Sequence, residues 1–141
     1  MARSIPLPSW PEGARAAVSV TFDVDAESGF LSEGLAYERR LTSLSEGRFG
    51  PVRGLPRVLD LLAEFAVPAT FYVPGDTALR HPDAVGDIVS AGHEIGHHGH
   101  PHLRSDRIDA DQQRSEIECG LQALQETVGV RPRGYRSASW G

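Results

Sequence analysis

The sequence predicts an α/β fold built on a parallel sheet. Short apolar strands alternate three times with stretches of helical periodicity, the pattern left by successive βαβ units. The residues best suited to chemistry fall at the C-terminal ends of those strands, where open α/β sheets and barrels place their sites.

Residues 1–14 read as a Pro-rich arm, and residues 15–141 as one domain. From Ala16 to Asp25 the chain runs AAVSVTFDVD. Val18, Val20, Phe22 and Val24 alternate with Ser19, Thr21, Asp23 and Asp25, a period-two strand with a buried apolar face. Residues 26–50 carry Gly29, Gly34, Gly47 and Gly50 and read as a long loop. Leu55, Val58, Leu59, Leu62, Phe65 and Ala66 then follow the spacing of an amphipathic helix that Pro68 ends. Ala69 to Val73 is a second strand, closed by Pro74 and Gly75. A short helix over Pro82–Ala91 leads to a third strand at His93-Glu94-Ile95. Asp109 fits an N-cap with Gln112 three residues on, and Ile117, Leu121, Leu124 and Val128 form a stripe that stops at Gly129. Residues 133–137 (RGYRS) begin a fourth strand.

The composition narrows the function classes. With 40% hydrophobic and 23% charged residues in 141, a packed core is expected rather than disorder. The 14 basic residues are all arginine and are scattered, and the net charge is −5, which argues against a nucleic-acid surface. The N-terminal stretch lacks a signal-peptide core, and no run of apolar residues is long enough to span a membrane. Cys119 stands alone, reads as a core-facing helix residue, and suggests a reducing, cytoplasmic setting.

Asp23 and Asp25 lie two apart on one strand, so both carboxylates project from one face, about 6.5–7 Å apart along the chain. They suit either a solvated turn or a site that binds a metal and abstracts a proton. His93 to His102 (HEIGHHGHPH) holds five of the six histidines. Such density favours metal binding, although a solvated loop can also bind metal adventitiously. The pair His93/His97 completes an H-E-x-x-H signature, in which Glu94 would activate water and Glu116 or Glu118 would supply a third ligand. That reading needs a helix through Gly92, Gly96, Gly99 and Pro101, at about 1 kcal/mol per interior glycine and about 3 for proline. The pair His98/His102 suits a loop bent by Gly99 and Pro101. With Asp25 it makes a set of three protein ligands with a position open for water. Arg136, at the end of the fourth strand, is either a surface residue or a cation that holds Asp23 ionised and aimed.

TFDVDAE, GHEIGHHGHPH and GYRSASW, in this order, resemble the first three motifs of the polysaccharide deacetylases, the family with the NodB homology domain. ATFYVPG resembles the strand between the first two. The resemblance implies a distorted (β/α) barrel of the seven-stranded type. It implies Asp23 as base, Asp25, His98 and His102 as metal ligands, and Arg136 as the residue that orients the base. It further implies zinc or another divalent metal such as cobalt, and hydrolysis of a non-peptide carbon–nitrogen bond, with an N-acetylated sugar polymer or oligomer as substrate. The TFDVD form resembles a cytoplasmic branch that includes allantoinase-like hydrolases, so a small cyclic amide is the alternative substrate. Ala138 stands where the third motif usually has proline. About four strands are expected here, too few to close such a barrel, and the later motifs with the general acid are absent. The expectation is a fragment or truncated reading frame with open sheet edges, prone to self-association, and a remnant without turnover is a further alternative.

Overall fold

In the computed structural model, which describes residues 10–140, three parallel strands stand side by side in chain order. They are β1 (Thr21–Asp23), β2 (Thr70–Val73) and β3 (Glu94–His97). Thr21 faces Thr70 and Asp23 faces Tyr72 across the first pair; Thr70 faces Glu94 and Val73 faces His97 across the second. β1 is shorter than its alternation suggests, because pairing begins only where β2 begins; Val18 is left 88% exposed. The fourth strand is reduced to a single parallel bridge between Tyr135 and His97. Most of the expected 1–14 arm lies outside the described residues.

Helices fill the connections. Between β1 and β2 lie α1 (Ser28–Leu31), α2 (Leu41–Phe49) and α3 (Leu55–Glu64); a π-helical turn over Gly50–Gly54 joins the last two. Residues 26–50 are thus largely helical where a loop is expected. The reason is visible in α2: its apolar residues form no stripe, and Leu41 and Phe49 are exposed, so periodicity carries no signal. Gly47, which reads as a breaker, is a packing glycine, since a Cβ there would lie 2.8 Å from the Ala26 carbonyl oxygen. α3 buries Leu55 and Leu62 as its pattern predicts, but ends at Glu64, with Phe65 exposed and Ala66 left-handed at φ 52°.

Between β2 and β3 lie α4 (Gly75–Arg80), which the sequence reading lacks, and α5 (Pro82–Ser90), which it contains. After β3 comes α6 (Ala110–Val128). Its start is the expected capping box: Gln112 N–H donates to Asp109 Oδ1 at 2.8 Å, and Asp109 N–H donates to Gln112 Oε1 at 3.1 Å. Its end is Gly129 at φ 71°. The core gathers Phe71, Val73, Val85, Ile88 and Leu124, all fully buried, with Val24 and Ile95.

The buried face of α6 is Glu116, Gly120, Ala123 and Leu124; of the expected stripe, Leu124 is fully buried and Leu121 and Val128 are half-buried, while Ile117 is rotated out. Ile117 and Cys119 are exposed, so Cys119 does not face the core. Close approach decides this rotation: α6 packs tightly on α4 and on the end of β3, and only small residues fit there. A Cβ on Gly120 would lie 1.9 Å from His97 Nε2 and 3.0 Å from the Gly99 carbonyl oxygen.

Two predictions follow from this packing. Gly120→Ala gains about 1 kcal/mol of helix propensity, but the overlap with a buried ring and a backbone oxygen outweighs it. A net loss of about 1–3 kcal/mol is expected in chemical denaturation; a stabilised variant would show that α6 does not sit this close. His97 is 1% exposed, and its pKa is pushed down to about 4, chiefly by burial and then by His98 and His100. A folded value below the unfolded one favours the neutral ring, so this contribution is intact above about pH 6.5 and is lost as pH falls toward 4. The gap is worth about 3 kcal/mol at most. Metal-free protein should lose stability over that range more steeply than His97→Gln, and equal slopes would assign the loss to other groups.

Candidate metal centre

The site forms where the three strands end. Beyond Asp23, the Val24 N–H donates to the Tyr72 carbonyl at 2.9 Å, which carries the pairing one residue past β1. The chain then turns at Ala26, φ 50°. The Asp25 carbonyl accepts from Ser28 N–H at 2.9 Å and from the Thr77 hydroxyl at 2.8 Å. Ser28 and Thr77 are fully buried, with their hydroxyls 2.9 Å apart. The Asp25 backbone is therefore fixed from both sides while its carboxyl points to the strand ends.

On the other side of β2, His98 N–H donates to the Val73 carbonyl at 3.2 Å. His98 Nδ1 lies 2.8 Å from the Arg136 carbonyl oxygen. A carbonyl can only accept, so Nδ1 carries the proton and Nε2 carries the lone pair. That Nε2 is 3.5 Å from Asp25 Oδ1, and His102 Nε2 is 3.6 Å from Asp25 Oδ2. Both imidazoles are buried, at 3% and 6% exposure, and Asp25 is half-buried. Burial pushes the His102 pKa down despite the opposing pull of Asp25, which favours the neutral, ligating ring.

These distances fit a cation. Two donors each about 2.0–2.2 Å from a tetrahedral ion are about 3.3–3.6 Å apart, beyond a good hydrogen bond. One ligand atom from each of Asp25, His98 and His102 falls within 4.8 Å of the others, and among the described residues this is the one such cluster. Asp25 Oδ1 is buried without a hydrogen-bond partner, a costly state for a carboxylate that a bound cation would relieve.

Asp23 forms an ion pair with Arg136 through Oδ1 and Nη1. Arg136 also donates from Nη2 to the Thr21 hydroxyl at 2.8 Å, and its guanidinium stacks 4.0 Å above the Tyr72 ring. Its own backbone N–H donates to the His97 carbonyl at 2.9 Å. A cleft of about 220 Å³ opens beside Asp23 and Asp25, with Phe22, Pro51, Leu55 and Val58 in its walls.

The H-E-x-x-H reading does not survive. Glu94–His97 is a strand, so Glu94 and His97 point to opposite faces. Glu94 accepts from the Thr70 hydroxyl at 2.7 Å at the far end of the sheet. His93 packs against the Phe71 ring, and His97 turns into the α6 interface. Of the two glutamates considered as third ligands, Glu118 is exposed, and Glu116 accepts from the His100 N–H at 2.7 Å.

Several supporting residues escape sequence reasoning. Ser28 and Thr77 carry no motif; only their places just after strands hint at them. Tyr72 reads as an ordinary strand residue. Glu27, 4% exposed, accepts from Arg48 at 2.8 Å and pairs with His81 at 2.6 Å. Burial alone would raise its pKa, but the hydrogen bonds from His81 and Arg48 outweigh it and hold the carboxyl below the usual range. Only its place in the AES segment directly after Asp25 could have pointed to it.

Comparison with known proteins places this geometry. The family profile described as polysaccharide deacetylase matches residues 49–139. A peptidoglycan deacetylase of Helicobacter pylori is 30% identical over 123 residues, covering 87% of this chain and 42% of that protein. Among solved structures, a candidate polysaccharide deacetylase from Mycobacterium smegmatis is 47% identical with a TM-score of 0.92, over 95% of this chain and 47% of the other. The PuuE allantoinase is 26% identical with a TM-score of 0.81, over 94% of this chain and 49% of the other. The chain thus spans less than half the length of each of these three. Because the family profile covers more than half of the sequence, the chain belongs to the polysaccharide deacetylase family.

Proposed function

We propose that this chain carries the metal-binding and proton-abstracting part of an amide hydrolase that deacetylates an N-acetylated sugar polymer or oligomer, on a sheet belonging to a larger (β/α) barrel. The observation that carries the reading is the meeting of Asp25, His98 and His102 beside an Asp23–Arg136 pair at the C-terminal edge of one parallel sheet.

Asp25 through its carboxylate, and His98 and His102 through Nε2, would hold zinc or another divalent ion such as cobalt. When bound, such an ion supplies Lewis acidity that polarises a carbonyl and brings the pKa of a coordinated water toward neutrality. Asp23 takes the proton of the attacking water. The Arg136 guanidinium, held between Thr21, Tyr72 and Asp23, fixes that carboxylate by charge and direction. The backbone N–H after Arg136 would donate to the developing oxyanion. The cleft beside the two aspartates receives the acyl end of the substrate.

Deacetylase names among the relatives support a sugar substrate. The allantoinase neighbour supports the second reading, a ring amide opened with the same bond chemistry. Acetate release from a chitooligosaccharide or peptidoglycan, against opening of allantoin, separates the two.

Two outcomes are expected from substitution. Zinc or cobalt binds near one equivalent in a metal-content assay. His98→Ala, His102→Ala and Asp25→Asn each weaken it far more than His93→Ala; losses concentrated at His93 and His97 would return the metal to the H-E-x-x-H pair. In a version that carries the whole barrel, Asp23→Asn keeps the metal while acetate release falls by about 10²–10⁴. A loss of metal in Asp23→Asn equal to that in Asp25→Asn would remove the division of labour between the two aspartates.

A further inference from the structure

The loop from His98 to His102 supplies both imidazoles, and its backbone is unusual. Gly99 is left-handed at φ 84°, and His102, a residue with a side chain, is left-handed at φ 64°. L-residues adopt this conformation only when surroundings impose it. The loop carbonyls are held by the first turn of α4: Gly75 N–H donates to Gly99 O and Asp76 N–H to His100 O, each at 2.9 Å. These two bonds secure one side of the peptide and leave its N–H side to another partner.

That partner is Glu116. Its carboxylate Oε2 accepts the His100 N–H at 2.7 Å and lies 2.9 Å from where a Gly99 Cβ would stand. Glu116 is 7% exposed, on the face of α6 that presses against α4 and β3. An ionisable side chain is a costly choice for this packed, small-residue face, since burying a carboxylate is unfavourable unless it is hydrogen-bonded. The geometry points to Glu116 as a positioning residue of the metal centre, clamping the His98–His102 loop through the His100 N–H so that both Nε2 atoms face Asp25. This assignment rests on the metal reading above. It adds a role for a residue on α6 that lies outside all three motifs, and it follows the general behaviour of groups that orient ligands from behind.

Cobalt titration of the whole chain tests it, with binding followed by visible absorption. Glu116→Leu removes the acceptor at similar volume, and cobalt affinity should fall about 10–100-fold with an altered d–d band. Glu116→Gln keeps an acceptor oxygen, and should restore affinity to within a few-fold of the parent together with the parent band shape. Ile88→Val, a core change outside the loop, serves as the stability control and should bind cobalt as the parent does. The assignment is overturned if Glu116→Leu binds cobalt within threefold of the parent. It is equally overturned if Ile88→Val loses affinity in proportion to its loss in Tm, because stability alone would then explain the effect. Should Glu116→Leu fail to fold, Glu116→Gln decides: a folded Gln variant with parental affinity and band supports the clamp, and one with more than tenfold weaker binding refutes it. Failure of the parent chain itself to bind cobalt is a different result, which removes the metal reading rather than the role of Glu116 within it.

Discussion

Both halves of the metal centre hang from two consecutive carbonyls of the central strand. Tyr72 O accepts from Val24 and Val73 O accepts from His98, so the residues that present Asp25 and His98 are spaced by the sheet itself. The spacing between parallel neighbours is about 4.8 Å, which puts the first and third strands close enough for their end residues to share a cation, provided the strand between them contributes no bulky group at that height. The chain meets this condition by following Val73 with Pro74 and then α4, whose first N–H groups bind the histidine loop from below. A one-residue slip in either pairing would turn Asp25 or His98 to the opposite face.

The two aspartates are therefore chemically unequal before any ligand arrives. Asp23 has a cation in contact and an exposed setting. Asp25 has only imidazoles near it, and one of its oxygens is buried without a partner. Within one five-residue segment the fold stabilises one carboxylate by pairing and leaves the other unsatisfied. Such an unsatisfied acid destabilises the metal-free protein, and a cation bound there would remove the penalty, coupling metal binding to stability.

Much of this was legible in the sequence, because the motif residues sit at strand ends and period-two alternation marks strands even when they are short. Asp23 and Asp25 are legible as strand-end acids, His98 and His102 as a loop pair in a dense histidine run, and the role of Arg136 through the resemblance; the structure brings the five together. The capping box at Asp109 and the stop at Gly129 were legible for the same reason, being local chemistry. What the sequence concealed is set by packing between segments distant in the chain. α2 has no apolar stripe because its contact with the site is made by a glycine and an arginine rather than by a hydrophobic face. The stripe on α6 is correct at Leu124 but misses the inward turn toward Gly120 and Ala123, which carry no hydrophobic signal and are what allow close approach. Cys119 was assigned to the core by residue type, and the same rotation of α6 exposes it. The fourth strand was over-read: Tyr135 makes one bridge to His97, and the adjoining residues serve the site through their backbone instead.

The glycines of the histidine segment show how the two levels meet. In the sequence they count against a helical H-E-x-x-H site, through the cost of glycine in a helix. In the fold two of them, Gly96 and Gly99, have a neighbour that requires glycine. A Cβ on Gly96 would lie 2.5 Å from the Tyr72 ring; that ring lies under the Arg136 guanidinium, and Arg136 pairs with Asp23. A side chain at position 96 would thus reach the base through two intermediaries, by displacing the ring that supports its cation. Gly99 combines a left-handed backbone with contact to the Glu116 carboxylate, so a side chain there would strain the peptide that carries both imidazoles. The run H-E-I-G-H-H-G-H-P-H is thereby decoded without a helix: Gly96 and Gly99 make room for the groups that aim Asp23 and hold His98 and His102, while His97 turns into the α6 interface.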